Sequence, residues 1–310
     1  MVDGLPVSDW KNNYKPKFAG KPIEMEQYET SRSLAIRPDR SGFVLGTEYT
    51  LRSFDADGRQ RWEQPGPAIA WGVDFSSDGR VIVVAYGDGT IRWRRWSDGR
   101  ELLAVFVNRQ TKTWVAWTPS GYYMASPGGE DLIGWLVNRG WSQAPDFFPA
   151  SKFKDTYARA DVVQQVLTTL DEGEAVLLAN RSGPARPALG PASTSIIENL
   201  PPVLSILSPT DNSHADGTSV TVEYLVRSPS GIQIDTVEAL INGMPAPNMS
   251  DDAKVKQCLS ETKGIGYTDG ALQGCRGSLT VELGSGTTEI SVYVRAHGKT
   301  SNVAKTRVIR

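Results

Sequence analysis

The sequence predicts a mainly β chain: about three blades of a partial β-propeller, a short helical segment, and then an immunoglobulin-like β-sandwich. Three observations carry this. One unit recurs with a spacing of about 40 residues, the period of propeller blades. Asp-Gly dipeptides close one tight turn after another. A Pro- and Gly-rich stretch then separates the repeats from a second run of alternating strands.

Residues 1–30 read as a polar lead-in, with Trp10, Tyr14, Phe18 and Tyr28 set among Lys and Pro and one short strand expected from Pro22 to Met25. Residues 31–150 hold the blades. The first copy runs from Leu34 through Phe43–Thr47 and Leu51–Phe54 to Arg59–Trp62. The second runs from Val73 through Val81–Gly87 and Ile91–Trp96 to Glu101–Phe106, with Ile91 in the place of Leu51. A third, degenerate copy spans Val115–Gly121, Tyr122–Ser126 and Leu132–Trp135. Asp57-Gly58, Asp78-Gly79, Asp88-Gly89 and Asp98-Gly99 supply the positive φ that tight hairpins need. Each unit can bury its faces only against neighbours, so the copies are expected to stack.

The hydrophobic period changes over residues 151–181. Asp161 is placed to cap a helix with Val162, Val163, Val166, Leu167 and Leu170 on one face, and Asp171 to cap a short one from Ala175 to Ala179. Residues 182–202 form a Pro/Gly-rich linker. Across 203–310, strands are expected at Val203–Leu207, Ser219–Val226, Thr236–Ile241, Ser278–Leu283 and Thr288–Arg295, with a turn at Asn242-Gly243. Short strands with no helix between them give the sandwich architecture.

Hydrophobic residues at 39% and charged residues at 22% match globular chains, which excludes disordered and fibrous classes. The 33 basic residues against 35 acidic ones leave no global field to draw nucleic acid or an anionic membrane. No apolar run reaches the roughly 18 residues that span a bilayer. The start Met1-Val-Asp-Gly-Leu-Pro6 shows no basic region followed by an apolar one, so a cytoplasmic chain is expected.

No set of residues assembles into a catalytic signature. His214 falls in a turn and His297 beside Gly298 near a strand end, positions typical of exposed loop histidines. Asp55-Ala-Asp57-Gly58 starts like a calcium loop, but its glycine comes too early and no closing glutamate follows, so a turn is expected. Gly87-Asp-Gly89 and Pro127-Gly-Gly129 lead into no helix that could meet a phosphate. The run Arg92-Trp-Arg-Arg-Trp96 interleaves base and ring as single-strand nucleic-acid platforms do, but alternation mixes charge into both strand faces. Arginine stems packed over tryptophan rings are therefore expected. Nine tryptophans read as packing between blades, an exposed subset being available to bind a partner. Cys258 and Cys275 can form a disulfide in an oxidising compartment or stay free thiols in a reducing one. Neither histidine stands at a zinc-ligand spacing from them, and no metal or cofactor is expected.

Several long strings go beyond propensity: Tyr28–Ile36, Gly121–Trp135, Val137-Asn-Arg-Gly140, Phe147–Phe153 and Pro202–Pro209. Together they resemble bacterial proteins that join WD-type repeats to a caspase-like cysteine peptidase domain, over nearly the whole chain and in the same order. In that family the peptidase follows the sandwich and carries the catalytic His and Cys. This chain stops at Arg310, so the resemblance implies no catalytic residue here and no enzyme activity. It implies a protein-interaction scaffold or regulatory region whose partner is a caspase-like peptidase or additional propeller blades. The alternative is a small-ligand or carbohydrate-binding module built on blade loops and tryptophans. Residues 250–277 look like an enlarged loop beside the family's usual sandwich.

Overall fold

The computed structural model describes residues 4–138, 144–182, 196, 199–246, 255, 257, 258 and 274–310. The chain is mainly β. It divides into two compact units, Met1–Gly134 with Pro149–Ala188, and Trp135–Phe148 with Leu189–Arg310. Residues 135–148, assigned from sequence to the blades, thus group with the C-terminal unit.

The first unit begins with β1 (Val7–Ser8), β2 (Lys17–Phe18) and β3 (Lys21–Pro22), a small antiparallel sheet in place of the single strand expected. A four-stranded meander follows: β4 (Ser31–Ile36), β5 (Gly42–Thr47), β6 (Thr50–Asp55) and β7 (Gln60–Pro65). The next sheet holds β8 (Ala70–Phe75), β9 (Val81–Tyr86), β10 (Thr90–Arg95) and β11 (Glu101–Val107). The glycines of all four Asp-Gly turns take positive φ, from 67 to 84°.

The third copy makes no blade of its own. Its strands, β12 (Trp114–Trp117) and β13 (Tyr123–Ala125), extend the second sheet, giving six strands in the order β13-β12-β11-β10-β9-β8. The connections explain the difference. Strand β7 ends at Pro65 and Pro67 follows after Gly66, two residues without N–H groups that stop the meander. Between β11 and β12, Asn108 N–H donates to Thr113 O (2.8 Å) and Lys112 N–H to Asn108 O (2.9 Å), folding the chain back onto β11.

The two larger sheets share a core of Val44 and Leu51 from the first and Ala70, Ile82, Val84, Tyr86 and Trp96 from the second. Alternation along β5 and β6 turns Phe43, Leu45 and Phe54 to the opposite face, and the lead-in covers them with Leu5, Val7 and Ile23. Each such burial contributes roughly 1.5–3 kcal/mol. Phe18 stacks on Phe43 with ring centroids 5.7 Å apart, and a Cβ on Gly58 would fall 2.4 Å from the Phe18 ring. Only glycine fits there.

Beyond the second sheet lie α1 (Lys154–Tyr157), α2 (Ala160–Thr169) and α3 (Glu172–Ser182). Helix α2 packs on β11 and β13 and buries Val162, Val163 and Val166. Arg95 Nη1 donates to Leu170 O (3.0 Å), and Thr118 Oγ1 to Glu172 Oε1 (3.1 Å). Asp171 caps α3 as expected, accepting from Glu174 N–H (3.0 Å), though α3 continues to Ser182. Asp161 does not cap α2. It lies in the first turn and binds the Arg159 guanidinium, and the N-cap position of Arg159 has no side-chain cap.

In the second unit, β14 (Gly134–Val137) and β15 (Asp146–Pro149) pair, their outermost residues Gly134 and Pro149 falling in the first unit. The other strands are β16 (Val203–Ser208), β17 (Ser213–His214), β18 (Ser219–Arg227), β19 (Thr236–Ile241), β20 (Met244–Pro245), β21 (Cys275–Glu282), β22 (Thr287–Ala296), β23 (Lys299–Thr300) and β24 (Ala304–Ile309). They form a β16-β18-β21 sheet and a β17-β24-β22-β19-β20 sheet, with β23 on β22. Sequence reasoning missed β24. Leu204, Val222, Tyr224 and Val226 of one sheet and Val237, Ala239, Ile290, Val292 and Val294 of the other belong to one core. The Asn302 side chain ties off the edge of β16, accepting from Leu204 N–H (2.9 Å) and donating to Leu204 O (2.8 Å). Most of the expected linker, and of the loop 250–277, lies outside the described residues.

Candidate functional site

The residues that sequence singles out for chemistry are held in structural roles. Asp55 Oδ1 accepts from Asp57 N–H (2.9 Å) and Arg59 N–H (2.8 Å), closing its own turn. Asp88 does likewise for Thr90 N–H (2.9 Å), and Gly129 N–H bonds Ser126 O within its turn (2.7 Å). In the basic-aromatic run, Arg92 pairs with Glu101 (2.9 Å) and Asp88 (3.2 Å), and Arg95 pairs with Asp98. The hydrogen bond from Arg95 holds the Asp98 carboxyl below the usual range. Arg94 donates to Gly99 O (3.1 Å) and Pro65 O (3.2 Å). Trp96 is buried, met edge-on by Phe75 (centroids 5.2 Å) and overlain by the Arg61 guanidinium at 4.7 Å. Arg94 and Trp96 are thus interior, Arg92, Trp93 and Arg95 are half-buried, and the cations of the run are already engaged.

His214 is exposed on β17 and its backbone registers with Ile309. His297 is exposed in the β22–β23 hairpin, with Nδ1 3.8 Å from Asp235 Oδ1. Neither lies in the unit that carries the repeats. Cys258 and Cys275 are joined in a disulfide with Cα atoms 5.8 Å apart, and Cys275 lies in the core. Among the described residues no group of His, Cys, Asp or Glu is gathered to hold a metal ion.

One end of the two-sheet unit is built differently. Four loop segments are knitted there by backbone hydrogen bonds: Glu48 N–H to Thr30 O (3.2 Å), Gly66 N–H to Tyr49 O (2.8 Å) and Gly87 N–H to Ile69 O (2.8 Å). From this frame Tyr28, Tyr49 and Trp71 stand 73, 54 and 56% exposed. Among the described residues Trp71 alone of the tryptophans is exposed. It occupies a bulge between Ala70 and Gly72 on β8, which turns the ring outward. The Arg32 guanidinium lies 5.5 Å from the ring centre, braced by Glu48 and by Asn12 Oδ1 (2.9 Å). The arrangement offers an oriented indole, two phenols and a cation fixed by the Glu48 carboxylate. Sequence reasoning allowed an exposed tryptophan subset without naming Trp71; the signal was Trp71-Gly72 breaking the β8 alternation.

A cavity of about 270 Å³ in the same unit is lined by Tyr123, Met124, Ala125, Glu130, Lys154, Ala158 and Ala160, with no tryptophan. Burial, with the Glu130 and Asp131 carboxylates nearby, pushes the Tyr123 phenol up to about 12. Its hydroxyl donates to Ala150 O (3.1 Å).

No family model and no curated protein matches the chain. Among solved structures it is similar to BamB from Moraxella catarrhalis, at 18% identity and TM-score 0.26, over 35% of this chain and 37% of that one. It is also similar to the RRP9 WD40 repeats, at 13% identity and TM-score 0.25, over 31% of this chain and 37% of that one. The chain spans little more than a third of either, and likeness this partial says nothing of function.

Proposed function

We propose that the chain is a non-catalytic protein-interaction scaffold, with two WD-type blades and an immunoglobulin-like sandwich. The observation that carries this reading is the exposed Trp71, Tyr49 and Tyr28 set, with the half-buried Arg32 over the Trp71 ring, on a frame of hydrogen-bonded loops. Trp, Tyr and Arg are the residue types that dominate binding energy at protein interfaces, and a rigid frame lowers the ordering cost of docking. The sequence resemblance supports a caspase-like peptidase as the partner. Additional blades remain open on one side: the lead-in covers the outer face of the first sheet, whereas α2 packs on β11 and β13 and Ala85 and Ile91 stay exposed on the second. The small-ligand or carbohydrate reading has one exposed tryptophan behind it, with Arg32 already over the ring.

The disulfide weighs against the cytoplasmic location expected from sequence, since reducing compartments keep thiols reduced. No helix among the described residues is long and apolar enough to cross a membrane.

Affinity purification of the tagged chain from its source tests the scaffold reading. A stoichiometric protein partner, lost when Trp71 and Tyr49 are replaced by Ala, is expected. Recovery of the chain alone at native abundance, or hydrolase activity in the pure chain, overturns it.

A further inference from the structure

Part of the outer face of the second sheet is uncovered, and the internal repeat shows what that part corresponds to. Thr50-Leu-Arg52 on β6 matches Thr90-Ile-Arg92 on β10, so the pair Gly46↔Leu51 in the first sheet corresponds to Ala85↔Ile91 in the second. Two residues further along each strand, Val44↔Ser53 corresponds to Val83↔Trp93. The bulges at Ser31/Ser33 on β4 and at Ala70/Gly72 on β8 fall in the same register. Because side chains alternate along a strand, Val83, Ala85, Ile91 and Trp93 share one side of the second sheet. Their counterparts Val44 and Leu51 are the side chains with which the first sheet meets the second.

The two sides are alike in register and opposite in cover. Val44 and Leu51 are fully buried, whereas Ile91 is 42% exposed and Ala85 is exposed. A Cβ on Gly46 would fall 2.9 Å from Ala70 Cβ and 3.1 Å from Val73 Cγ1, but one on Gly72, beside Ala85, would meet only Ala85 Cβ at 3.9 Å. Helix α2 packs on β11 and β13, toward the far edge of the sheet from β8. Asp74, paired with Val83, stands exposed where the first sheet has the buried Ala35. Its Oδ1 accepts from Phe75 N–H (2.8 Å), and among the described residues no cation pairs with it. A group that covers this face must bring one, since a carboxylate buried without a partner is costly.

Within this chain a face of this register is covered by a sheet, whose first strand β8 lies against β4 and β5 and which brings Ala70, Ile82, Val84 and Tyr86. A second copy cannot supply that sheet by stacking in the same sense. The side it would present corresponds to that of Ile82 and Val84, which in the first sheet is Phe43 and Leu45, and Leu5, Val7 and Ile23 cover these. We infer that the face formed by Asp74, Val83, Ala85 and Ile91 docks a β-sheet of a partner protein, stacked on it as the second sheet is stacked on the first. The partner sets aliphatic and aromatic side chains against Val83, Ala85 and Ile91, and a lysine or arginine at Asp74. This rests on the reading of the chain as a protein scaffold and names a partner class for it, through residues other than the Trp71 set.

The test places a photoreactive benzophenone amino acid at Ala85 or Ile91 of the full chain in its source cell and maps the cross-linked peptides by mass spectrometry. Attachment from both positions to alternate residues of β-strands in one partner protein is expected. Asp74→Lys, which sets like charges together, should cut the adduct by roughly tenfold or more, while its urea midpoint stays near that of wild type. No adduct, an adduct with a second copy of the chain, attachment to helical segments, or a yield unchanged by Asp74→Lys overturns the inference. If positions 85 and 91 fail while a partner is still captured through Trp71, this face falls and the scaffold reading stands. If the adducts form as expected and Trp71→Ala loses no partner, the docked sheet stands and the Trp71 surface falls.

Discussion

Arg52 holds Glu29 in the interior of the first sheet, with Nη2 2.7 Å from Oε2 and side-chain exposures of 5% and 0%. The contact joins the lead-in to β6, so it fixes the segment that covers the first sheet's outer face. Thr50 Oγ1 (2.5 Å) and Thr47 Oγ1 donate to the other carboxylate oxygen, and Glu26 N–H (3.1 Å) adds to Oε2. Burial alone would raise the Glu29 pKa, but these hydrogen bonds together bring it below the ordinary 4.5.

Removing one partner of a buried pair strands the other. Glu29→Gln should cost about 3–5 kcal/mol near pH 7, measured by urea denaturation. Because the folded pKa is depressed, the carboxylate's contribution is present above the unfolded value and is lost as pH falls through the folded one. Wild type should therefore lose stability below about pH 4.3 more steeply than Glu29→Gln; parallel curves in that window would contradict the assignment.

Trp96 is the centre of the contact between the two larger sheets, and its carbonyl also accepts from Trp62 Nε1 at 2.8 Å. Trp96→Ala should cost about 3–5 kcal/mol. Substitution of the exposed Trp71 by Ala should shift the urea midpoint little, and a large shift there would mean that its ring packs inward.

In the second unit Arg227 grips Asp146 through two hydrogen bonds, Nη1 to Oδ2 (2.6 Å) and Nη2 to Oδ1 (2.8 Å). A fork of this kind depends on geometry as well as charge. Arg227→Lys should recover less than half of the stability lost in Arg227→Ala; full recovery would show that a point charge suffices.

The disulfide closes a loop of 17 residues, so its reduction should cost about 3 kcal/mol. Chain isolated from its source with thiols trapped on lysis should show no alkylated Cys258 or Cys275. Full alkylation at both would place the protein in a reducing compartment.

The hairpins were legible because Asp-Gly turns act locally, and the sandwich strands because alternation is local too. The third copy misled for the opposite reason. Val115-Ala-Trp-Thr matches the repeat, but whether it starts a new sheet depends on the link before it, and Asn108–Thr113 lacks the prolines of Pro65-Gly66-Pro67. Asp161 looked like a cap from spacing alone, yet Arg159 two residues earlier is the stronger partner for its carboxylate. The Trp71 surface needed the fold, since it joins Tyr28 of the lead-in, Arg32 of β4, Tyr49 of the β5–β6 turn and Trp71 of β8. The lead-in needed it as well, because Leu5, Val7 and Ile23 show their role only against Phe43, Leu45 and Phe54.

The most direct test of the scaffold claim is photo-cross-linking in the source cell from a benzophenone amino acid placed at Trp71 or Tyr49, compared with the same probe at Arg59 or Arg100 in the opposite turns. A discrete adduct with one protein from positions 71 and 49, absent from 59 and 100, is the predicted result. No adduct from any position, or equal adducts from both ends, would contradict it.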